Sequence, residues 1–289
     1  MYRIGQIEIH RLVDTRVWVD PGGAFGVTPR ALWERVMPTD ARGLVPMDLS
    51  CLLVRAGGAT LLIETGLGDK LSNKERGFWG IDRPGALLAR LEALGVLPDD
   101  VDIVINTHLH ADHCGGNTTT RSGGLRPTFP NAEYWVQRLE YADACFPNER
   151  TRHTYLPQNF RPLERTGQLR LLNGDTVVVE GVRCVVARGH TRAMQVVVFE
   201  SEGAHGLFTA DLASYAVNFE RLAWVTAYDV EPLETIESKR SWQRWALEHD
   251  ALVIPGHEPH KPAGRMRLLD SGRLELEPVA ALAAISTGA

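Results

Sequence analysis

The chain has 289 residues, 44% of them hydrophobic and 23% charged, with a formal net charge of −5. That apolar content supports a sizeable core. Scattered basic residues in a net-negative chain argue against a nucleic-acid or membrane-surface protein, either of which usually carries a basic patch. The start alternates polar and apolar residues with no leader-like apolar stretch, and no run is long enough to span a bilayer. Cys51, Cys114, Cys145 and Cys184 form no close pair and no metal-type spacing. Reduced, mostly buried thiols in a cytoplasmic protein are therefore expected.

In chain order, Ile4, Ile7 and Ile9, then Val13 and Val17-Trp18-Val19, carry the β-branched enrichment of strands. Pro21 to Pro46 reads as a long irregular segment. Loops of that length usually have a function, and Phe25, Trp33 and Met37 are expected to wall a pocket or a dimer contact. Leu49 to Val54 and Thr60 to Ile63 flank Gly57-Gly58 as a hairpin. After a glycine-rich loop with Trp79, Pro84 opens a helix with Leu87, Leu88, Leu91 and Leu94 at helical spacing, stopped by Gly95.

The buried strand Val101 to Ile105 runs directly into Asn106-Thr-His-Leu-His-Ala-Asp-His-Cys-Gly-Gly116. A strand Glu133 to Val136 and a helix Arg138 to Cys145 follow, and Phe146 to Pro162 reads as a loop. Its Arg150-Thr-Arg152 and His153 are expected to be solvated. Strands are expected at Leu169 to Leu172, Thr176 to Val179, Arg183 to Ala187, Gln195 to Glu200 and Gly206 to Ala210. A helix spans Pro232 to Glu248, its Glu231 and Glu234 suited to the N-terminal dipole and its Trp242 and Trp245 packed on a sheet. Leu252 to Ile254 feeds Pro255-Gly-His257, and His260 reads as surface or as a supporting residue. A last hairpin, Met266 to Leu269 and Arg273 to Leu276, turns at Ser271-Gly272. Two strand-rich halves suggest an α/β protein of two sheets packed face to face with helices outside. One domain, 1–289, is expected, with residues 1–47 forming a strand and a long covering loop.

His108-Leu-His110-Ala-Asp112-His113 carries the chemistry. Imidazole nitrogen and carboxylate oxygen suit zinc and must converge from several directions. Alternate residues of an extended segment share a side, so His108 and His110 can reach one metal. The turn after them lets Asp112 and His113 reach another, and Gly115-Gly116 permits the close backbone approach such a turn needs. His190, Asp211 and His257 each end a further expected strand.

This HxHxDH run, followed at a distance by His, Asp and His, resembles the metallo-β-lactamase superfamily over about residues 49 to 260. The resemblance implies an αββα sandwich of two packed mixed sheets with helices on the outer faces. It implies that His108, His110 and His190 hold a first metal, that Asp112, His113 and His257 hold a second, and that Asp211 bridges both. Thr65-Gly66 is similar to the family's acidic-Thr-Gly step, with Glu64 where aspartate is usual. Around His190 the later histidine of the common Gly-His-Thr-Pro-Gly-His run is lost. The cofactors implied are two divalent ions, zinc before manganese, iron or cobalt, sharing a water acidified towards neutrality. Asp112 is a candidate proton acceptor. Tyr215, in a stretch resembling the Asp-Ala-Ser-Tyr of N-acyl-homoserine lactonases with one extra residue, is a candidate oxyanion donor; the other reading packs it against Phe219.

The substrate expected is a small-molecule lactone or ester, with promiscuous phosphotriester hydrolysis. The alternatives are a β-lactamase-like hydrolase, a glyoxalase-II-like thioesterase, an iron-dependent oxidoreductase of the same fold, and a non-catalytic binding subunit. No nucleic-acid or membrane partner is expected, and a homodimer is compatible with the apolar N-terminal segment.

Overall fold

The structure is a computed structural model that describes residues 1–81, 85–120 and 123–282. Strands β1 (Tyr2–Ile4), β2 (Ile7–Val19), β3 (Val45–Ala56), β4 (Ala59–Ile63) and β5 (Ile103–Ile105) are followed by a small ribbon, β6 (Thr118–Thr119) with β7 (Arg126–Pro127). Next come β8 (Glu133–Gln137) and β9 (Leu169–Leu172), and the first sheet runs β1-β2-β3-β4-β5-β8-β9. The second sheet runs in chain order through β10 (Thr176–Val179), β11 (Val182–Val186), β12 (Gln195–Ser201), β13 (Ala204–Ala210), β14 (Leu252–Pro255), β15 (Gly264–Leu268) and β16 (Leu274–Pro278). Both sheets are mixed: β4-β5, β5-β8, β8-β9 and β13-β14 pair parallel and the remaining neighbours antiparallel.

Side-chain parity decides the layers, because successive residues of a strand point to opposite faces. In the first sheet Leu52, Val54, Leu61 and Ile63 face inward and share one core with Cys184, Val197, Phe199 and Phe208 of the second. Their alternates Cys51, Leu53, Leu62 and Val104 face outward, against Leu87 and Leu91 of the helix Leu87–Glu92 and Leu163 of the helix Arg161–Arg165. The helix Pro232–Glu248 covers the second sheet's outer face, burying Thr235, Lys239, Gln243 and Ala246 at helical spacing. Trp242 and Trp245 pack half-buried against the core. At the β3-β4 turn Gly57 (φ 55°) and Gly58 (φ 76°) adopt the positive φ that a two-residue hairpin needs. The αββα sandwich is the one the sequence implies.

The structure corrects several expectations. Pro21 to Pro46 is not wholly irregular: it holds the short helices Pro21–Phe25 and Arg30–Trp33, the first opened by an Asp20 cap on the Gly22 N–H (2.7 Å). One-turn helices show no apolar periodicity, so composition alone reads as loop. Phe146 to Pro162 contains a turn at Pro157–Asn159 and leads straight into the helix Arg161–Arg165. Pro84, expected to open a helix, lies outside the described residues; the helix itself starts at Leu87. The final hairpin strands are displaced by one or two residues from the expected ranges. All four cysteines are free, with Cys51, Cys114 and Cys184 buried. Among the described residues no helix is long and apolar enough to cross a membrane.

Candidate metal centre

The ends of β5, β13 and β14 converge at one edge of the sandwich. Parallel pairing sets Ile63 beside Ile105 and Ala210 beside Pro255, so the segments leaving these strands emerge together. Ala210 takes a left-handed φ of 45°, a costly conformation for a residue with a Cβ that persists only where its surroundings enforce it. The bend sends Asp211 into the cluster. His108 and His110 follow β5, the chain bending at Thr107 and His108, and the one-turn helix Ala111–Cys114 brings Asp112 and His113 round behind them. Gly115 and Gly116 let this loop lie flat on its neighbour: a Cβ on either would collide with the Leu67 or Thr65 carbonyl.

Three ligand-type sets result among the described residues, one of them Glu64, His108 and His113. His108, His110, His190 and Asp211 present atoms all within 4.8 Å of one another, and Asp112, His113 and His257 do the same. Asp211 lies between them. Its Oδ2 is 3.2 Å from His190 Nε2 and 3.4 Å from His113 Nε2, and its Oδ1 is 2.8 Å from His257 Nε2. Asp112 Oδ2 lies 3.5 Å from His113 Nε2 and 3.7 Å from His257 Nε2.

Hydrogen bonds on the far side of the rings fix their tautomers. His257 donates its Nδ1–H to the Asp48 carbonyl (2.9 Å), and His190 donates Nδ1–H to the Asp229 carboxylate (3.0 Å). Each therefore aims a lone pair from Nε2 into the cluster. There His190 Nε2 meets His110 Nδ1 at 3.1 Å and His257 Nε2 meets His113 Nε2 at 3.1 Å. His108 Nε2 is buried with no hydrogen-bond partner among the described residues and lies 3.9 Å from Asp211 Oδ2. Burial acts to lower the proton affinity of His113, His190 and His257, but the nearby carboxylates, with Asp211 acting on all three, more than offset it and raise all three. Burial and neighbouring histidines hold His108 and His110 well below the usual range. Lone pairs converging on carboxylates in a buried pocket demand positive charge, and the borderline-hard N and O donors here are those a divalent cation takes.

Several residues support the cluster from outside it; Glu64 was already singled out in the sequence, whereas Asp229 and Glu140 were not. Glu64, at a left-handed φ of 63°, accepts the Thr107 N–H (3.1 Å) and lies 3.5 Å from His113 Nδ1. Asp229 also accepts the Thr226 hydroxyl (2.8 Å). It stands just before a helix, where a carboxylate reads as ordinary N-terminal charge. Glu140 is fully buried beside the first set.

The cluster floors a cavity of about 260 Å³. Val19, Ala24, Met47 and Trp79 give it an apolar wall, and Arg150, His153, Thr154 and Tyr228 a polar one. Arg150 and His153 are exposed, as expected, and both also line the cavity; Arg150 donates to the Ala227 (2.5 Å) and Asp229 (2.9 Å) carbonyls across the mouth. Phe25, Trp33 and Met37 form a buried cluster with Tyr215, and from their segment Ala24 reaches the cavity. Tyr215 lines the cavity, and its hydroxyl is engaged within the chain. Its hydroxyl donates its one proton to the Pro46 carbonyl (3.1 Å), and its ring stacks on Phe25 at 5.7 Å, not on Phe219. The extra residue before it brings Ser214 against Asp211 instead, with Oγ to Oδ1 at 3.4 Å. His260 is exposed.

A two-sheet sandwich with a histidine–aspartate cluster where its strands end is an architecture suited to metal-assisted hydrolysis. The model of the metallo-beta-lactamase superfamily matches residues 45–257, and the chain belongs to that superfamily as one of its hydrolases. An N-acyl homoserine lactonase of Bacillus cereus is 26% identical over 233 residues, 76% of this chain and 85% of that protein. A probable metal-dependent hydrolase from Staphylococcus aureus superposes with a TM-score of 0.86 at 26% identity, covering 97% of this chain and 100% of the other. AidC, a dizinc quorum-quenching lactonase, shares the fold with a TM-score of 0.80 at 20% identity over 97% of each chain.

Proposed function

We propose that the chain hydrolyses lactones, with simple esters as secondary substrates, and that it works with two divalent cations, zinc by preference. The observation that carries this reading is the convergence of seven ligand-type side chains beneath a cavity with one apolar wall. His108, His110 and His190 would hold one cation, Asp112, His113 and His257 the other, with Asp211 shared. Such ions supply Lewis acidity towards a carbonyl oxygen and acidify water.

The chain's own groups do the rest. The apolar wall of Val19, Ala24, Met47 and Trp79 excludes water from one side and suits an acyl chain. Asp112, the least buried of the seven, is placed to take up a proton at its carboxylate. The lactonase relatives support the choice of a lactone over other carbonyl substrates.

The test joins metal analysis of purified protein to a screen of N-acyl homoserine lactones, simple lactones, aryl esters, β-lactams and phosphotriesters. Two equivalents of metal and fastest turnover of a lactone are expected, with activity lost on chelation and restored by zinc. Metal-loaded protein that opened no lactone above the buffer rate would overturn the substrate assignment. Protein unable to bind a divalent cation would overturn the site.

A further inference from the structure

The first ligand set is assembled from segments far apart in sequence: His108 and His110 follow β5 of one sheet, and His190 follows β11 of the other. One fully buried carboxylate touches both segments. Glu140, in the helix Arg138–Cys145, accepts the Leu109 N–H at Oε1 (3.0 Å), between the two histidines of the motif. At Oε2 it accepts the hydroxyl of Thr191 (2.5 Å), the residue after His190. Oε1 also accepts the Tyr155 hydroxyl (3.0 Å), and the Tyr155 ring lies 5.0 Å from that of His110.

A carboxylate with no exposed surface is expensive to bury. No lysine or arginine pairs with Glu140 among the described residues; three hydrogen bonds alone satisfy it. Burial, with Asp143 adding, raises its proton affinity despite those bonds. Those bonds tie the carboxylate to both ligand-bearing segments.

The second set rests on different supports. The Thr65 N–H binds the His113 carbonyl (2.8 Å), Glu64 lies against His113, and the Asp48 carbonyl holds His257. Glu140 touches none of these.

We propose that Glu140 is a positioning residue that pre-assembles the His108, His110 and His190 set for its cation, and leaves the Asp112, His113 and His257 set to its own supports. This rests on the two-cation reading above. Loss of a group that orients metal ligands costs typically 10–100-fold in affinity, so removal of Glu140 is expected to weaken one site by that factor and spare the other.

The experiment measures zinc binding by chelator competition on metal-free protein, in two backgrounds. His257→Ala retains the first set and His190→Ala the second. Glu140→Leu, which removes all three acceptors, should weaken zinc about 10–100-fold in the His257→Ala background and less than threefold in the His190→Ala background. Glu140→Gln, which keeps one carbonyl oxygen, should restore part of the loss. Should the leucine variant not fold, Thr191→Val and Tyr155→Phe each delete one bond to Glu140 and carry the same comparison. Equal weakening in both backgrounds, or none in either, would overturn the proposal. A parent chain that binds no zinc would instead overturn the two-cation reading on which it stands, and that result is visible before any Glu140 variant is made.

Discussion

Asp229 Oδ1 lies 3.0 Å from His190 Nδ1, and the same oxygen accepts the Thr226 hydroxyl at 2.8 Å. The carboxylate thereby fixes which imidazole nitrogen faces the cluster and in what plane. Carboxylate–histidine pairs of this kind raise ligand basicity, and their loss typically costs 10–100-fold in metal affinity or activity. Asp229→Ala is expected to lower kcat/KM on the best lactone by that factor and to weaken one zinc equivalent. Asp229→Asn, which retains an acceptor oxygen, should cost less. An alanine variant with parental zinc affinity would show that the ring is held by packing alone.

Tyr215 is expected to matter for stability more than for turnover. Its hydroxyl proton is committed to the Pro46 carbonyl in a fully buried setting. Removing it leaves that carbonyl unpaired, at about 1–3 kcal/mol. Tyr215→Phe should therefore unfold at lower denaturant concentration while kcat stays within about twofold of the parent, a change of roughly 0.4 kcal/mol in barrier height. A tenfold fall in kcat with metal content unchanged would return the phenol to the reacting carbonyl and mean that its bond to Pro46 breaks in the complex.

The parts of this molecule legible in the sequence are those where residue type and position coincide. The His108 to His113 run announces itself because ligand-type residues crowd a strand end, and His190, Asp211 and His257 because each follows an apolar strand. The two-layer core follows from the alternation of Leu52 and Val54 with Cys51 and Leu53. Glu140 and Asp229 were illegible for the opposite reason. On a helix and before a helix, carboxylates are commonplace, and only tertiary packing reveals that one bridges two ligand loops and the other meets an imidazole. Tyr215 stands between these cases: its residue type was visible in the sequence, but only the packing shows that it lines the cavity while donating to the Pro46 carbonyl, with Ser214 beside Asp211.

Arg150 straps one side of the cavity mouth to the other through the Ala227 and Asp229 carbonyls. Neither bond touches a ligand atom, so its effect should fall on the shape of the entrance more than on the chemistry. Exposed bonds of this kind are worth about 1 kcal/mol, or roughly fivefold in an equilibrium constant. Arg150→Ala is expected to raise KM for lactones by about that factor and leave kcat within twofold. Steady-state kinetics across a series of acyl lengths check this. A fall in kcat at constant KM would place the guanidinium at the reacting carbonyl instead.

Lys239 gives the fold a pH dependence separable from that of the metal cluster. Its ammonium group is fully buried under the second sheet's helix and donates to the Asn218 (2.9 Å), Arg221 (3.2 Å) and Trp224 (2.9 Å) carbonyls. Burial outweighs the opposing pull of Asp229 and lowers its pKa from 10.5 to about 7. Between those two values the unfolded chain binds a proton that the folded chain does not, so folding stability gains with rising pH, at up to about 1.4 kcal/mol per unit. The gain is lost as pH falls through the folded value near 7. Lys239→Met removes the titrating group. Urea unfolding of parent and variant at pH 7, 8 and 9, with metal content matched, isolates Lys239 in the difference between the curves, because every other titrating group is common to both. The parent should gain on the variant as pH rises across this range. A difference independent of pH would mean that the ammonium stays charged throughout, held by its three carbonyl acceptors.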